Sequence, residues 1–167
     1  LSYTTEMAMQ LAVVTVVGQC VGANDYDQAR YYIRKMLIMA MVMAVINNVI
    51  LFVVSPFALQ LYTLKNETLA ITETILGMEC LAVGLFHVLA FVLPTCLRAA
   101  GDAKYTMYVG VLSMFFARVA GAYILGTVMG LGVVGTRIAM YIDWIVRIVF
   151  FAIRYKSGKW TQYRAIE

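Results

Sequence analysis

The single histidine of this chain, His87, sits inside a long apolar stretch, and the carboxylate Glu79 stands eight residues before it. An ionisable side chain in such a stretch is costly to bury, so both are candidates for function. A free imidazole changes charge near neutral pH, which suits a proton or cation switch. The bland alternative for His87 is a neutral ring with one satisfied donor. For Glu79 it is a carboxyl held by hydrogen bonds or turned to water near an interface. Eight residues are roughly 12 Å along a helix, too far for one small metal ion to bind both. No other His, Cys or carboxylate pair has metal-ligand spacing, and no Ser/His/Asp set is evident. The sequence therefore reads as no enzyme, with no metal and no cofactor. Asp143 and Arg147 stand at i,i+4 and can form a structural ion pair on one helix face. Arg118 and Arg137 also interrupt apolar runs. Their stems can snorkel, or their charges can anchor gating contacts. Pro94 marks a hinge or kink, and Gly77 and Gly84 invite close helix packing.

These side chains need elements to hold them. The 167 residues are 63% hydrophobic and 13% charged. A soluble domain carries about twice that charge, and a nucleic-acid binder would cluster its bases on a polar face. A bilayer-spanning helix needs roughly 20 apolar residues. The apolar runs place helices at 7–23, 36–55, 74–97, 105–127 and 133–153, with a tail at 154–167. The fold class is all-α, a polytopic membrane helix bundle. Asn24 or Asp25 can cap the basic segment that follows the first turn. Pro56 closes the second span, ahead of an interfacial stretch at 57–64. Cys20, Cys80 and Cys96 form no short-spaced pair, so they are neither a disulfide framework nor a zinc knuckle. No basic leader precedes the first apolar run, which is not a signal peptide. The chain opens on Leu1, and the expectation is a longer protein that begins before it.

Charge placement gives the topology. The first connector holds Arg30, Arg34 and Lys35, the third Arg98 and Lys104, and the tail Arg154, Lys156, Lys159 and Arg164. The second holds only Lys65, beside Glu67, and the fourth none. Cytoplasmic loops carry the excess of Lys and Arg. Five alternating spans with the C-terminus in the cytoplasm explain the split. Trp160 and Tyr163 then fall at the inner headgroup layer. Asn66-Glu67-Thr68 matches a glycosylation acceptor and is read as chance.

Several motifs look familiar. Val17-Gly18-Gln19-Cys20-Val21-Gly22-Ala23, followed by Ala29 and a basic segment, resembles the G-Q-x-x-G-A turn of the multidrug and toxic compound extrusion (MATE) transporters. Leu97-Arg98-Ala99-Ala100-Gly101-Asp102 resembles that family's L-R-G-x-G-D/N loop. Gly130 to Gly135, then Asp143-Trp144, Arg147 and the 154–160 segment, is similar to its last helix and tail. The turn residues carried by the resemblance are Gly18, Gln19, Gly22, Arg98, Gly101 and Asp102.

The resemblance implies the last five of about twelve helices, within the second of two six-helix lobes. It implies antiport at a bacterial plasma membrane, with organic, often cationic, compounds leaving as H⁺ or Na⁺ enters. The implied partners are the lipid bilayer, an organic small-molecule substrate and the missing N-terminal lobe. Some members couple the cation through an acid about three turns before the Arg of the L-R-G loop. Counting back from Arg98, His87 takes that place. An imidazole offers Na⁺ no negative oxygen, so the exchange favours protons. Two alternatives stand beside this reading. A flippase for lipid-linked oligosaccharides would show a strongly cationic cavity, whereas the cationic residues here are mostly in cytoplasmic connectors. A non-transporting membrane scaffold would have little use for buried Glu79, His87, Arg118 and Asp143.

Overall fold

The computed structural model describes residues 4–60, 72, 75–80 and 82–162. Among these every regular element is helical and no strand occurs. Lys65, Glu67, the acceptor at Asn66, Tyr163 and Arg164 lie outside the described residues.

Helix α1 is Thr4–Gly22 and α2 is Tyr26–Gln60. The turn between them is closed by Asn24, whose φ is +61°. Its N–H bonds the Val21 carbonyl and that of Asp25 bonds the Cys20 carbonyl, both at 3.0 Å. This is the Schellman arrangement, which satisfies carbonyls left over at a helix end. Asp25 then turns round as the cap of α2, its Oδ1 accepting from the Gln28 N–H at 3.0 Å. The same geometry recurs one hairpin later. Gly101 has φ +95°, and its N–H and that of Asp102 bond the carbonyls of Arg98 and Leu97 at 3.0 Å.

Helix α2 does not stop at Ser55 as its proline suggests. It passes through Pro56 to Gln60. Proline has no N–H for the carbonyl four residues back, which here is that of Phe52. The Ser55 hydroxyl donates to that carbonyl instead, at 2.9 Å. A backbone group left bare in an apolar medium is thereby covered.

Helix α3 covers residues 83–99, a π-helical turn Val83–His87 running into α-helical Val88–Ala99. Helical residues at 75–80 precede it. A widened turn precedes Pro94, and the α-helix continues through that proline. Helix α4 is Ala103–Val128, α-helical to Ser113 and π-helical over Met114–Ala120 and Ile124–Val128. Helix α5 is Gly132–Lys156, followed by a 3₁₀ turn Lys159–Gln162. Arg154 is therefore helical and not part of a tail.

Side-chain contacts fix the directions. Glu6 meets His87 and Gln10 approaches Thr95, so α1 and α3 advance together. Glu79 meets Arg137 and His87 meets Trp144, so α3 and α5 are parallel too. Tyr105 reaches Phe150 while Gly121 faces Ala139, so α4 runs opposite to α5. The ends of α1, α3 and α5 that precede basic segments gather on one side of the bundle. There Trp160, fully buried, packs edge-on to Tyr26, stacks on Tyr155 at 5.9 Å and lies under the Arg30 guanidinium. It is a packing residue inside the protein, not a headgroup-facing one.

Helix α3 is central. Val88, Val92, Leu93, Cys96 and Leu97 join Val13, Val17, Ile33 and Ala40 of α1 and α2 in one core. Ala90 and Val83 join Trp144 of α5 in another. A helix apolar all round is one that is surrounded. The outer helices show the reverse: Ile38, Phe52, Phe57, Phe115 and Phe116 are exposed. Among the described residues, two helices, Tyr26–Ser55 and Ala103–Val128, are long and apolar enough to cross a membrane.

Glycines play opposite parts. Among the described residues, a Cβ at Gly77 would meet nothing within 4 Å, and one at Gly84 only Val45 at 3.7 Å. These two open a cavity of about 480 Å³ beside Asn48 rather than closing a contact. Close packing occurs instead where α4 crosses α5. A Cβ on Gly135 would lie 2.6 Å from the Leu125 carbonyl oxygen. Replacing Gly135 by Ala must push the two helices apart, an overpacking cost of about 1–3 kcal/mol. Gly18→Ala meets no atom within 4 Å and gains up to about 1 kcal/mol of helix propensity. Thermal unfolding of the two variants in detergent should show a lowered midpoint for the first and an equal or raised one for the second.

Candidate functional site

In an apolar bundle each ionised group needs a counter-charge, because an isolated one costs several kcal/mol or shifts to its neutral form. The described residues meet this demand at three levels along α5. Near its start, Arg137 Nη1 donates to Glu79 Oε2 at 3.0 Å, and the Tyr141 hydroxyl donates to the same oxygen at 3.2 Å. Arg137 and Tyr141 are one turn apart, so one face of α5 grips one carboxylate.

At mid-height, Asp143 is fully buried and Arg147 Nε donates to its Oδ1 at 3.0 Å. The same guanidinium donates to the Gly110 carbonyl of α4 at 3.2 Å and lies 5.6 Å from the Phe91 ring centre. The pair at i,i+4 therefore ties α5 to α3 and α4. Near the far end of α5, Arg154 clasps Asp102 with two bonds, Nε to Oδ2 at 2.6 Å and Nη2 to Oδ1 at 3.3 Å. It also covers the Tyr105 ring at 4.6 Å. A forked contact of this kind fixes orientation as well as distance.

A further titratable centre is His87. It closes the π turn of α3, and its Nδ1 is in hydrogen-bonding contact with Glu6 Oε2 of α1. His87 is 8% exposed and Glu6 2%. The imidazole stacks on Phe91 at 4.3 Å and takes Trp144 edge-on at 5.0 Å. Three helices thus meet on one ring. Three buried polar atoms here have no hydrogen-bond partner among the described residues: Glu6 Oε1, Asp143 Oδ2 and the Trp144 indole N–H. No three His, Cys, Asp or Glu side chains stand together as a metal would need, among the described residues.

The sequence points to Glu79, His87, Asp143 and Arg147, and the structure places all four inside the bundle. It does not bring Glu79 and His87 to one centre. Glu79 belongs to the Arg137 level and His87 to Glu6. Of the turn residues, Gly101 takes the positive φ and Asp102 the Arg154 clasp, whereas Gly18 and Gly22 face open space. Arg98 is exposed and donates to Thr95 Oγ1 at 2.9 Å. It stands between two clefts, one of about 550 Å³ bounded by Met7, Gln10 and Leu11, the other of about 400 Å³ bounded by Phe91, Met107 and Arg147. Glu6 is missed by sequence reading, since an acid in a first helical turn is ordinary dipole chemistry. Phe91 has a local signal, being one turn after His87.

Paired charges turned inward, with bulky apolar residues turned outward, define a helix bundle of the membrane type. The MatE family model matches residues 1–124, and the chain belongs to that family. It is similar to the uncharacterized transporter YisQ of Bacillus subtilis, 28% identical over 149 residues, which are 88% of this chain and 32% of that protein. It is also similar to the probable multidrug resistance protein NorM of Thermotoga maritima, 24% identical over 163 residues, 96% of this chain and 34% of that protein. The chain spans about a third of the length of these relatives. No solved structure matches it.

The Asp143–Arg147 pair gives a direct test of the ion-pair rule. Arg147→Gln leaves a fully buried carboxylate without its cation and should destabilise the full-length protein by about 3–5 kcal/mol. Asp143→Asn with Arg147→Gln should recover most of that loss. A double-mutant cycle on unfolding in detergent measures it.

Proposed function

We propose that the full-length protein is a secondary active exporter of organic, often cationic, compounds, driven by inward movement of H⁺ or Na⁺, with protons favoured. The observation that carries this is His87 itself, an ionisable ring buried at the end of the opening π turn of α3 and touching α1 and α5. Family membership supports transport, and the relative named as a probable multidrug resistance protein supports drug-like cargo. Glu79, the other candidate, is engaged by Arg137 and Tyr141, which fits a structural role better than a switching one. The clefts beside Arg98 offer mixed surface, apolar on Met7 and Leu11 and polar on Gln10 and Thr95. Such a surface suits organic cargo shared with a second lobe. The basic connectors lie at one end of the bundle, and we place that end, with the C-terminus, in the cytoplasm of a bacterial cell.

The test uses the complete gene in an efflux-deficient, drug-sensitive bacterium. Export of ethidium or norfloxacin should follow an imposed pH gradient and collapse to the vector level in His87→Ala. Glu79→Gln should retain export. Export driven by a Na⁺ gradient alone would overturn the proton reading, and no export under either gradient would overturn the exporter reading.

A further inference from the structure

Three acids of the bundle, Glu6, Asp102 and Asp143, are each at most 2% exposed. The arginines on the open side formed by α1, α3 and α4 are not withdrawn in this way. Arg98 is exposed and borders both clefts of that side, and Arg147 borders the cleft between α3 and α4. Among the described residues no carboxylate borders either cleft.

The two guanidinium groups are close in height. That of Arg98 lies beside Thr95 Oγ1 at 2.9 Å, and that of Arg147 lies 5.6 Å from the Phe91 ring centre. Thr95 and Phe91 stand one turn apart on α3. Asp143 answers Arg147 from a fully buried position, so the cleft meets the positive end of that pair. Arg147 commits Nε to Asp143 and Nη2 to the Gly110 carbonyl, and its Nη1 has no hydrogen-bond partner among the described residues. Arg98 donates to a neutral hydroxyl and has no carboxylate partner among the described residues. Arg118 adds a third charge. Met107, Val111 and Met114 border the cleft, and the helical period carries their stripe on to Arg118. It too has no carboxylate partner among the described residues.

We infer that the cleft between α3 and α4 takes the carboxylate of a small aromatic organic acid, with Arg98 as its main partner and Arg147 Nη1 as a second donor. Like charges held near each other repel, and an anion between them relieves the repulsion. The guanidinium fork matches a carboxylate in shape as well as charge. Phe91, Met107 and Met114 supply an aromatic face and flexible thioethers for the ring of such a compound. At about 400 Å³ the cleft has the size of a small-molecule site. The cargo class this favours carries an acid group, alone or beside a cation in a zwitterion. A purely cationic compound finds no counter-charge in these clefts. This deepens the exporter reading and rests on it only for the compound's status as cargo.

The test measures equilibrium binding to the purified full-length protein in neutral-lipid nanodiscs, so it is independent of export. The probes are norfloxacin, which has a carboxylate and an amine, its methyl ester, which keeps the ring and the amine but masks the acid, and ethidium, a cation without an acid. Wild type should bind norfloxacin about tenfold more tightly than the ester, the weight of one charge-assisted hydrogen bond. This arm needs no variant, and equal affinities would overturn the inference. In Arg98→Gln the ratio should fall to about one, and ethidium should bind as well or better once a like charge is gone. An unchanged ratio would take the carboxylate away from this cleft. Equal weakening of norfloxacin, ester and ethidium would mean that Arg98 answers an acid elsewhere in the protein, and would overturn the inference too. The same titration in phosphatidylglycerol nanodiscs separates cargo from lipid: a preference lost there would assign the cleft to a headgroup phosphate. Preference for the acid with no export would sink the exporter and keep the cleft, and export without that preference would do the reverse.

Discussion

A charge inside an apolar bundle must be answered by another charge, and most of this architecture follows from where the answers lie. Helix α5 carries Arg137, Asp143, Arg147 and Arg154, all turned to partners within the protein. Each interaction joins α5 to a different neighbour: the segment before α3, the carbonyl edge of α4, the turn between α3 and α4. The spacing of these residues along one helix therefore sets the heights at which the other helices can dock. Apolar packing alone, against hydrocarbon that is as apolar as the side chains, would not select one register so firmly.

The central position of α3 is the second constraint. It is enclosed by α1 and α2 on one side and by α4 and α5 on the other, and it holds the π turn that ends at His87. A widened turn inside a surrounded helix directs a side chain between neighbours that a regular turn would miss. Here it lets one imidazole touch α1, its own helix and α5. The outer helices α2 and α4, exposed along much of their apolar surface, need no such device.

How much of this the sequence discloses depends on range. Long apolar runs and the split of basic residues show the helices and their alternation, because these are local properties of composition. Asp143 and Arg147 are legible as a pair since four residues separate them. Glu6 with His87 and Glu79 with Arg137 are not, since pairings across 81 and 58 residues leave no local trace. Pro56 misleads for a subtler reason. Its usual effect is real, but the Ser55 hydroxyl beside it restores the lost bond, and that compensation is visible only when the two residues are read together. Gly77 and Gly84 mislead in the opposite sense: small residues permit close approach but do not compel it.

The burial of Trp160 has a consequence for the order in which the protein assembles. Its partners Tyr26 and Arg30 stand at the start of α2, whereas Trp160 follows α5. During synthesis the early helices emerge and enter the bilayer long before this indole exists. Until then the base of α2 lacks the side chain that fills it, and the gathered basic ends are held by their turns and by the core shared by α1, α2 and α3. The ring that finishes this end is a late-arriving keystone, so a ribosome pausing before it would leave α1, α2 and α3 packed through their shared core but not yet closed against the end of α5.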